Sequence, residues 1–158
     1  MLNFKVNLAK QFFFDRAAVK NAVDKATLRN HSKFGAFTRR NARDLLKYRK
    51  SPSRPGQPPT VHRTMSRKTS KGKVQSVSPL KEFIFFALDT GSRSVVIGPA
   101  RLNKPGDAPH ALEYGGASTV SVNGKTVSIN VRARPYMRPS FLKAVRDLPD
   151  IWKNSIQR

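Results

Sequence analysis

The chain has 158 residues, with 31 Lys and Arg against 9 Asp and Glu, a formal net charge of +22 at neutral pH, and no cysteine. That length fits a single domain over 1–158, long enough to bury a core without covalent staples, and the missing thiols exclude disulfides and thiolate chemistry. So large a positive excess calls for an anionic neighbour, either phosphate or an acidic protein surface.

Residues 1–14 read as an N-terminal arm. They lack the charged segment and long apolar stretch of a secretory leader, since Phe12-Phe13-Phe14 is too short to be its core. The longest apolar run, 83–88, falls far below the roughly 20 residues that cross a bilayer, so the expectation is a soluble protein with no membrane partner. A long helix is predicted over 15–48. Asp15 can cap it, and apolar or small residues recur at Val19, Val23, Ala26, Phe34, Phe37 and Leu45. His31-Ser32 and Gly35 are weak helix formers and mark an expected break or kink. The end of this helix is cationic: Arg39, Arg40, Arg43, Lys47, Arg49 and Lys50 surround a single acid, Asp44, which suits the negative end of the helix dipole.

From 49 to 79 the chain is rich in Pro, Ser, Thr and Lys and has no sustained periodicity, which predicts a long basic loop. Its cations Arg54, Arg63, Arg67, Lys68, Lys71 and Lys73 meet no acid in sequence. Connections this long inside a compact domain are functional or become ordered on a partner. A sheet is predicted over 80–134. The run Phe83-Ile84-Phe85-Phe86 is aromatic and branched enough for a strand covered on both faces, and Asp89-Thr90-Gly91-Ser92 turns it into a second strand ending at Gly98-Pro99. A second hairpin turns at Asn123-Gly124, which puts Val120 opposite Val127, with Ile129 and Val131 on the same face. The closing segment, 135–158, begins with two prolines in Arg134-Pro135-Tyr136-Met137-Arg138-Pro139. These stiffen the exit from the sheet and start a helix near Pro139. Phe141, Val145, Leu148 and Trp152 then recur at near-helical spacing, predicting a face that packs on the sheet, with a kink or restart at Pro149. The expected architecture is α+β: a four-stranded antiparallel sheet, a long N-terminal helix, a C-terminal helix, and the long basic loop between the first helix and the sheet.

Groups suited to catalysis are scarce. Glu82 and Glu113 are the only glutamates, and Glu113, beside Tyr114-Gly115-Gly116, is expected to pair with an arginine or to accept backbone hydrogen bonds rather than act as a base. Asp147 and Asp150 are expected in helix capping or intersubunit pairing. His31, His62 and His110 are too dispersed for a zinc pattern, and the paired glycines lack the lysine and helix of a nucleotide-binding loop. The expectation is therefore no enzyme, no cofactor and no metal. What remains is binding: thirteen basic residues between Lys33 and Lys73 face Asp44 alone, a footprint for phosphate or acidic protein with no signature of base readout.

Three segments carry a resemblance: Arg54-Pro55-Gly56-Gln57-Pro58-Pro59, Ala111-Leu112-Glu113-Tyr114-Gly115-Gly116, and Arg134-Pro135-Tyr136-Met137-Arg138-Pro139 leading into the last helix. In this order they resemble the tail-component or neck protein family of long-tailed DNA bacteriophages, distant relatives of the lambda minor tail protein Z. The likeness spans 15–156, although Val61-His62-Arg63-Thr64-Met65-Ser66 stands where the family shows a short Thr-Gly-x-Leu element. It implies a structural virion protein, made in the host bacterial cytoplasm and placed at the tail or neck. Its partners would be copies of itself in a hexameric ring, with a dodecamer as the alternative, and other neck and tail proteins such as the connector, tail terminator or tube. Phage DNA in the channel is a further expected partner. Glu113, Tyr114, Arg134, Tyr136, Met137, Arg138 and Trp152 are the expected interface positions. Charge alone motivates the alternative, a sequence-nonspecific nucleic-acid-binding protein of ribosomal or nucleoid type.

Overall fold

The computed structural model describes residues 15–101 and 107–155; the expected arm at 1–14 lies outside the described residues, as do 156–158. In chain order the elements are α1 (Arg16–Leu45), β1 (Lys47–Tyr48), β2 (Thr60–Val61), β3 (Met65–Lys68), β4 (Val74–Val77), α2 (Pro79–Glu82), β5 (Ile84–Asp89), β6 (Ser94–Pro99), α3 (Ala108–Tyr114), β7 (Gly116–Val122), β8 (Lys125–Val131), α4 (Met137–Arg146) and α5 (Leu148–Trp152). This is an α+β fold organised on α1, against which the β5–β6 hairpin, α4 and α5 all pack.

Asp15 caps α1 as expected, its carboxylate accepting from the backbone N–H of Ala17 at 2.9 Å and of Ala18 at 3.0 Å. The helix then runs unbroken to Leu45, past the site of the expected break or kink. Gly35 serves packing instead: a Cβ there would sit 2.6 and 2.9 Å from ring atoms of Phe86 and 3.1 Å from Val95. The missing side chain lets β5 and β6 lie against the helix backbone. The buried stripe is Ala26, Asn30, Phe34, Thr38, Asn41 and Ala42, whereas Val19 and Val23, expected on the inner face, are exposed. An Arg93–Asp24 ion pair at 3.0 Å fastens the β5–β6 turn to the same helix. α1 ends at Leu45 because Leu46 turns extended and is drawn fully into the core.

The expected four-stranded sheet is not formed. Each strand belongs to a two-stranded sheet: β1 with β2 in parallel, and β3–β4, β5–β6 and β7–β8 as antiparallel pairs. Between the two predicted hairpins in the chain lies α3, an element the alternating pattern did not suggest. Asp107 caps it, accepting from the N–H of His110 at 3.3 Å, and Gly115 and Gly116 take φ of 78° and 105° to turn the chain into β7. The basic loop likewise contains structure, the β3–β4 hairpin, closed by a turn in which the N–H of Gly72 donates to the carbonyl of Thr69 at 2.9 Å. The strand at 83–88 is covered on one face only: Ile84 is buried while Phe85 is half exposed. At Asn123-Gly124 both residues have positive φ and Val120 pairs with Val127, as the sequence predicts. The chain also restarts at α5 with Pro149 in its first turn, but α4 packs on α1, burying Ser140 and Ala144 rather than the predicted Phe141 and Val145.

The core cluster is Ala42, Leu46, Val61, Ile84 and Tyr136, with Leu80, Leu112 and Met137 packed against it. It draws on the end of α1, two strands and the segment before α4, so the hydrophobic centre sits at one corner. Replacing Gly35 with Ala pits a helical gain of about 1 kcal/mol against an overpacking cost of about 1–3 kcal/mol. With ring atoms this close the cost wins. Gly35→Ala should lower the denaturation midpoint, and adding Phe86→Leu should recover most of the loss; a more stable single variant would refute the close-packing account.

Candidate assembly corner and cationic surface

The three segments singled out in the sequence meet at this corner. The first makes a turn from Arg54 to Gln57 with Pro55 and Gly56 at its centre. Gly56 has φ of 79°, and the N–H of Gln57 donates to the carbonyl of Arg54 at 3.1 Å. The N–H of Gly56 donates to the carbonyl of Ala133 at 2.9 Å, and the N–H of Arg134 to that of Leu112 at 2.7 Å. A Cβ on Gly115 would lie 3.1 Å from the backbone of both Val131 and Ala133, so the chain can cross itself only with glycine there.

Glu113 is the junction. Its Oε2 accepts from the N–H groups of Tyr136 and Met137, each at 2.9 Å, and its Oε1 from the N–H of Arg138 at 2.7 Å. Tyr136 is the N-cap of α4 and supplies no side-chain cap of its own. The next position, Pro139, has no N–H. A single carboxylate, donated from another helix, thus satisfies the unpaired donors at the start of α4 and places a negative charge at its positive end.

Tyr136, expected at an interface, is completely buried and is the largest of the fully enclosed side chains. Its role is packing, because α4 begins at Met137 and holds the preceding residue over the core. The phenol oxygen finds no hydrogen-bond partner, and burial pushes its pKa well above the usual range, with the carboxylates of Glu113 and Asp107 adding to the effect. Met137 lies half-buried beside it, and the Arg134 side chain is also partly covered. Tyr114, 70% exposed, and Arg138 face outward; Trp152 is half exposed with its edge against the His31 ring, centroids 6.1 Å apart.

The chain matches no family model, no curated protein and no solved structure.

The twelve cations proposed for anion contact divide into two groups. Four are engaged within the fold. Arg39 donates through Nε to the carbonyl of Ile84 at 2.7 Å, Arg43 pairs with Glu82 at 2.9 Å, Arg67 pairs with the same carboxylate, and Arg63 lies 4.6 Å above the Tyr48 ring. The expectation that the loop cations meet no acid is thus corrected at Arg67, because β3 folds back beside α2. Arg40, Lys47, Arg49, Lys50, Arg54, Lys68, Lys71 and Lys73 are exposed and form no ion pair among the described residues. One cation escaped the sequence reading. Lys81 donates to the carbonyl of Leu46 at 3.2 Å and lies 5.4 Å over Tyr48; burial lowers its pKa, Asp44 opposes that, and Lys47 and Arg43 add to the lowering. Its position beside Glu82, just after Pro79, is the only sequence hint of a fixed cation there.

Among the described residues no group of His, Asp and Glu could hold a metal ion, and no helix is long and apolar enough to cross a membrane.

Glu113→Ala should cost roughly 2–4 kcal/mol, as several backbone donors lose a charged acceptor, with Glu113→Gln falling between it and wild type. Tyr114→Ala, one residue away and exposed, should stay within about 0.5 kcal/mol. Denaturant titration, with amide exchange at residues 136–138 as the local readout, checks both. Tyr136→Ala should cost about 3–5 kcal/mol, but Tyr136→Phe should be neutral or stabilising, since it removes an unpaired buried hydroxyl. The raised phenol pKa adds a pH signature. Below pH ~10 both states keep the proton; above it the unfolded chain ionises first, so stability falls as pH climbs. Thermal melts of Tyr136→Phe should fall less steeply above about pH 10 than those of the wild type.

Proposed function

We propose that this protein is a structural subunit of the neck or tail end of a long-tailed bacteriophage, working by assembly rather than turnover. The motif order supports this reading by resemblance. The observation that carries it is the β7–β8 hairpin. Its two seven-residue strands pack chiefly on each other, with α3 in repeated contact with β7 alone, and Val122, Val127 and Ile129 on its apolar face are 51%, 43% and 40% exposed. An isolated two-stranded ribbon is at best marginally stable in water, so a ribbon of this length gains from a neighbour. Between Gly116 and Val131 the only charge is Lys125. In a chain of net charge +22, this is a surface along which a second copy can approach without strong repulsion.

A ring needs one heterologous contact repeated about an axis. The hairpin of one copy would supply one half, through its apolar face or its unpaired outer strand edges. The exposed Leu142 and Val145 of α4, with the outer parts of Phe141 and Trp152 whose rings also meet Phe34 and His31 of α1, offer a matching apolar surface on the next copy. Sixfold symmetry is the number the resemblance implies, with twelvefold second. Connector, terminator or tube proteins would adjoin the ring, and the cationic surface would meet DNA in the channel or acidic residues of a neighbour.

The second reading, a sequence-nonspecific nucleic-acid-binding protein, draws on the exposed unpaired cations. Native mass measurement and sedimentation with virions separate the two. Closed oligomers that Val127→Asp with Ile129→Asp reduces to monomers, while the monomer's melting temperature holds, fit the subunit. A monomer that ignores virions but binds DNA or RNA with a steep salt dependence fits the alternative and overturns the first reading. Replacing Lys68, Lys71 and Lys73 with Gln should reduce attachment and leave stability within about 0.5 kcal/mol, since all three are exposed and unpaired. Undiminished assembly of infectious particles would show those charges to be idle.

A further inference from the structure

A concavity of about 390 Å³ opens where the second half of α1 meets α2, lined by Ala36, Arg39, Arg40, Arg43, Asp44 and Lys81. Four of these six residues are cations and one is an acid. On α1 the positions 36, 39, 40 and 43 share one face, which brings Arg39 and Arg43 together at a spacing where like charges destabilise a helix. The fold accepts that cost and then fixes the cations. Arg39 is held by the Ile84 carbonyl, Arg43 by Glu82, and Lys81 by the Leu46 carbonyl. Each anchor uses only part of the donor capacity, since a guanidinium carries five N–H groups and an ammonium three. Three cations with positions already set, and donors to spare around one concavity, bind an anion without first losing side-chain freedom. Arg40, exposed and without an ion pair, is free to close over the mouth.

We propose that this concavity binds a pair of neighbouring phosphate groups. The lining cations come from two helices, Arg39, Arg40 and Arg43 from α1 and Lys81 from α2. That suits the three or four oxygens of a phosphate better than the two coplanar oxygens of a carboxylate, which a single arginine fork already satisfies. The open concavity has room for more than one phosphate group. The proposal deepens the reading of the cationic surface by giving one place on it a defined ligand chemistry; adjacent phosphates could belong to a nucleic-acid backbone or to free pyrophosphate or polyphosphate. Asp44 is the one acid among the lining residues, and Glu82 stands beside them, paired with Arg43; removing Asp44 should strengthen binding.

Titration calorimetry of the full chain with pyrophosphate, and separately with a short DNA duplex, tests the site on its own, while native mass reads assembly independently. Pyrophosphate should bind to the wild type. Arg40→Gln should weaken it about tenfold, as expected for loss of one charged contact. Asp44→Asn should tighten it several-fold, and Lys20→Gln, the same loss of charge on an exposed part of α1, should change it less than twofold. With duplex, Arg40→Gln should reduce the salt slope by about 1. Sensitivity to Arg40→Gln with duplex alone assigns the site to a nucleic-acid backbone, and with pyrophosphate alone to free phosphates. Equal effects of Arg40→Gln and Lys20→Gln, or a Glu-rich peptide that binds as tightly as the duplex with the same Arg40 dependence, would overturn it. Loss of assembly with this pattern intact would sink the ring and spare the site.

Discussion

Much of this structure depends on one carboxylate. Glu113 stands on α3, and the three donors it satisfies belong to the start of α4, more than twenty residues later. Between the two lies the whole β7–β8 hairpin, so the same contact that starts α4 also closes the base of that hairpin. It positions Tyr136 over the core as well, because the residue held at the N-cap is the one whose ring fills the space among Ala42, Leu46, Val61 and Ile84. A charged acceptor is worth more here than a neutral cap, since it faces several N–H groups and the positive end of a helix dipole together. Remove it and a helix start, a hairpin base and the packing of the largest buried side chain all lose their common tie.

Away from that corner and from the elements packed on α1, two of the hairpins are largely self-contained. Sheets of two strands cannot bury both faces, and each leaves two edges open. Here β3–β4 and β7–β8 extend from the corner in opposite chemical character: the first carries Arg67, Lys68, Lys71 and Lys73 on and around it, the second a single lysine beside its turn. That separation matters for a molecule of such high charge. Under the proposed function, copies would approach one another along the neutral ribbon and the charged ribbon would meet anions, so self-association and polyanion binding would not compete for one surface.

What was legible in the sequence was local. Asp15 as a cap, the Asn123-Gly124 turn with its Val120–Val127 pairing, and the restart at Pro149 all follow from chemistry within a few residues. What was not legible depended on distant partners. Val19 and Val23 carried the apolar pattern of α1, yet the helix buries Asn30, Thr38 and Asn41, because Gly35 draws the β5–β6 hairpin onto the neighbouring face. The order of Leu-Glu-Tyr-Gly-Gly and Arg-Pro-Tyr-Met-Arg-Pro could be read in one dimension. That the glutamate of the first grips the backbone of the second could not, since no spacing rule links positions 113 and 136. Helix α3 was the avoidable miss: Asp107 followed by Pro109 is a helix start, overlooked because the segment lies between two strand patterns.

The cations teach the same lesson about charge. Counting placed thirteen basic residues between Lys33 and Lys73 against Asp44 and treated them alike. Folding sorts them by bringing Glu82, from just beyond that stretch, to bridge Arg43 and Arg67, and by spending Arg39 on a strand carbonyl. A cation anchored on a neutral carbonyl, as Arg39 is, loses little of its field and much of its freedom, so it is better placed to bind than a solvated lysine of equal charge, whereas pairing with Glu82 offsets part of the field of Arg43 and Arg67. Lys81, outside the counted stretch, is such a group, and it joins the arginines of α1 only because Leu46 leaves the helix and exposes its carbonyl as an anchor. The strength of an electrostatic surface is thus set less by how many charges the chain carries than by which of them the fold has already immobilised.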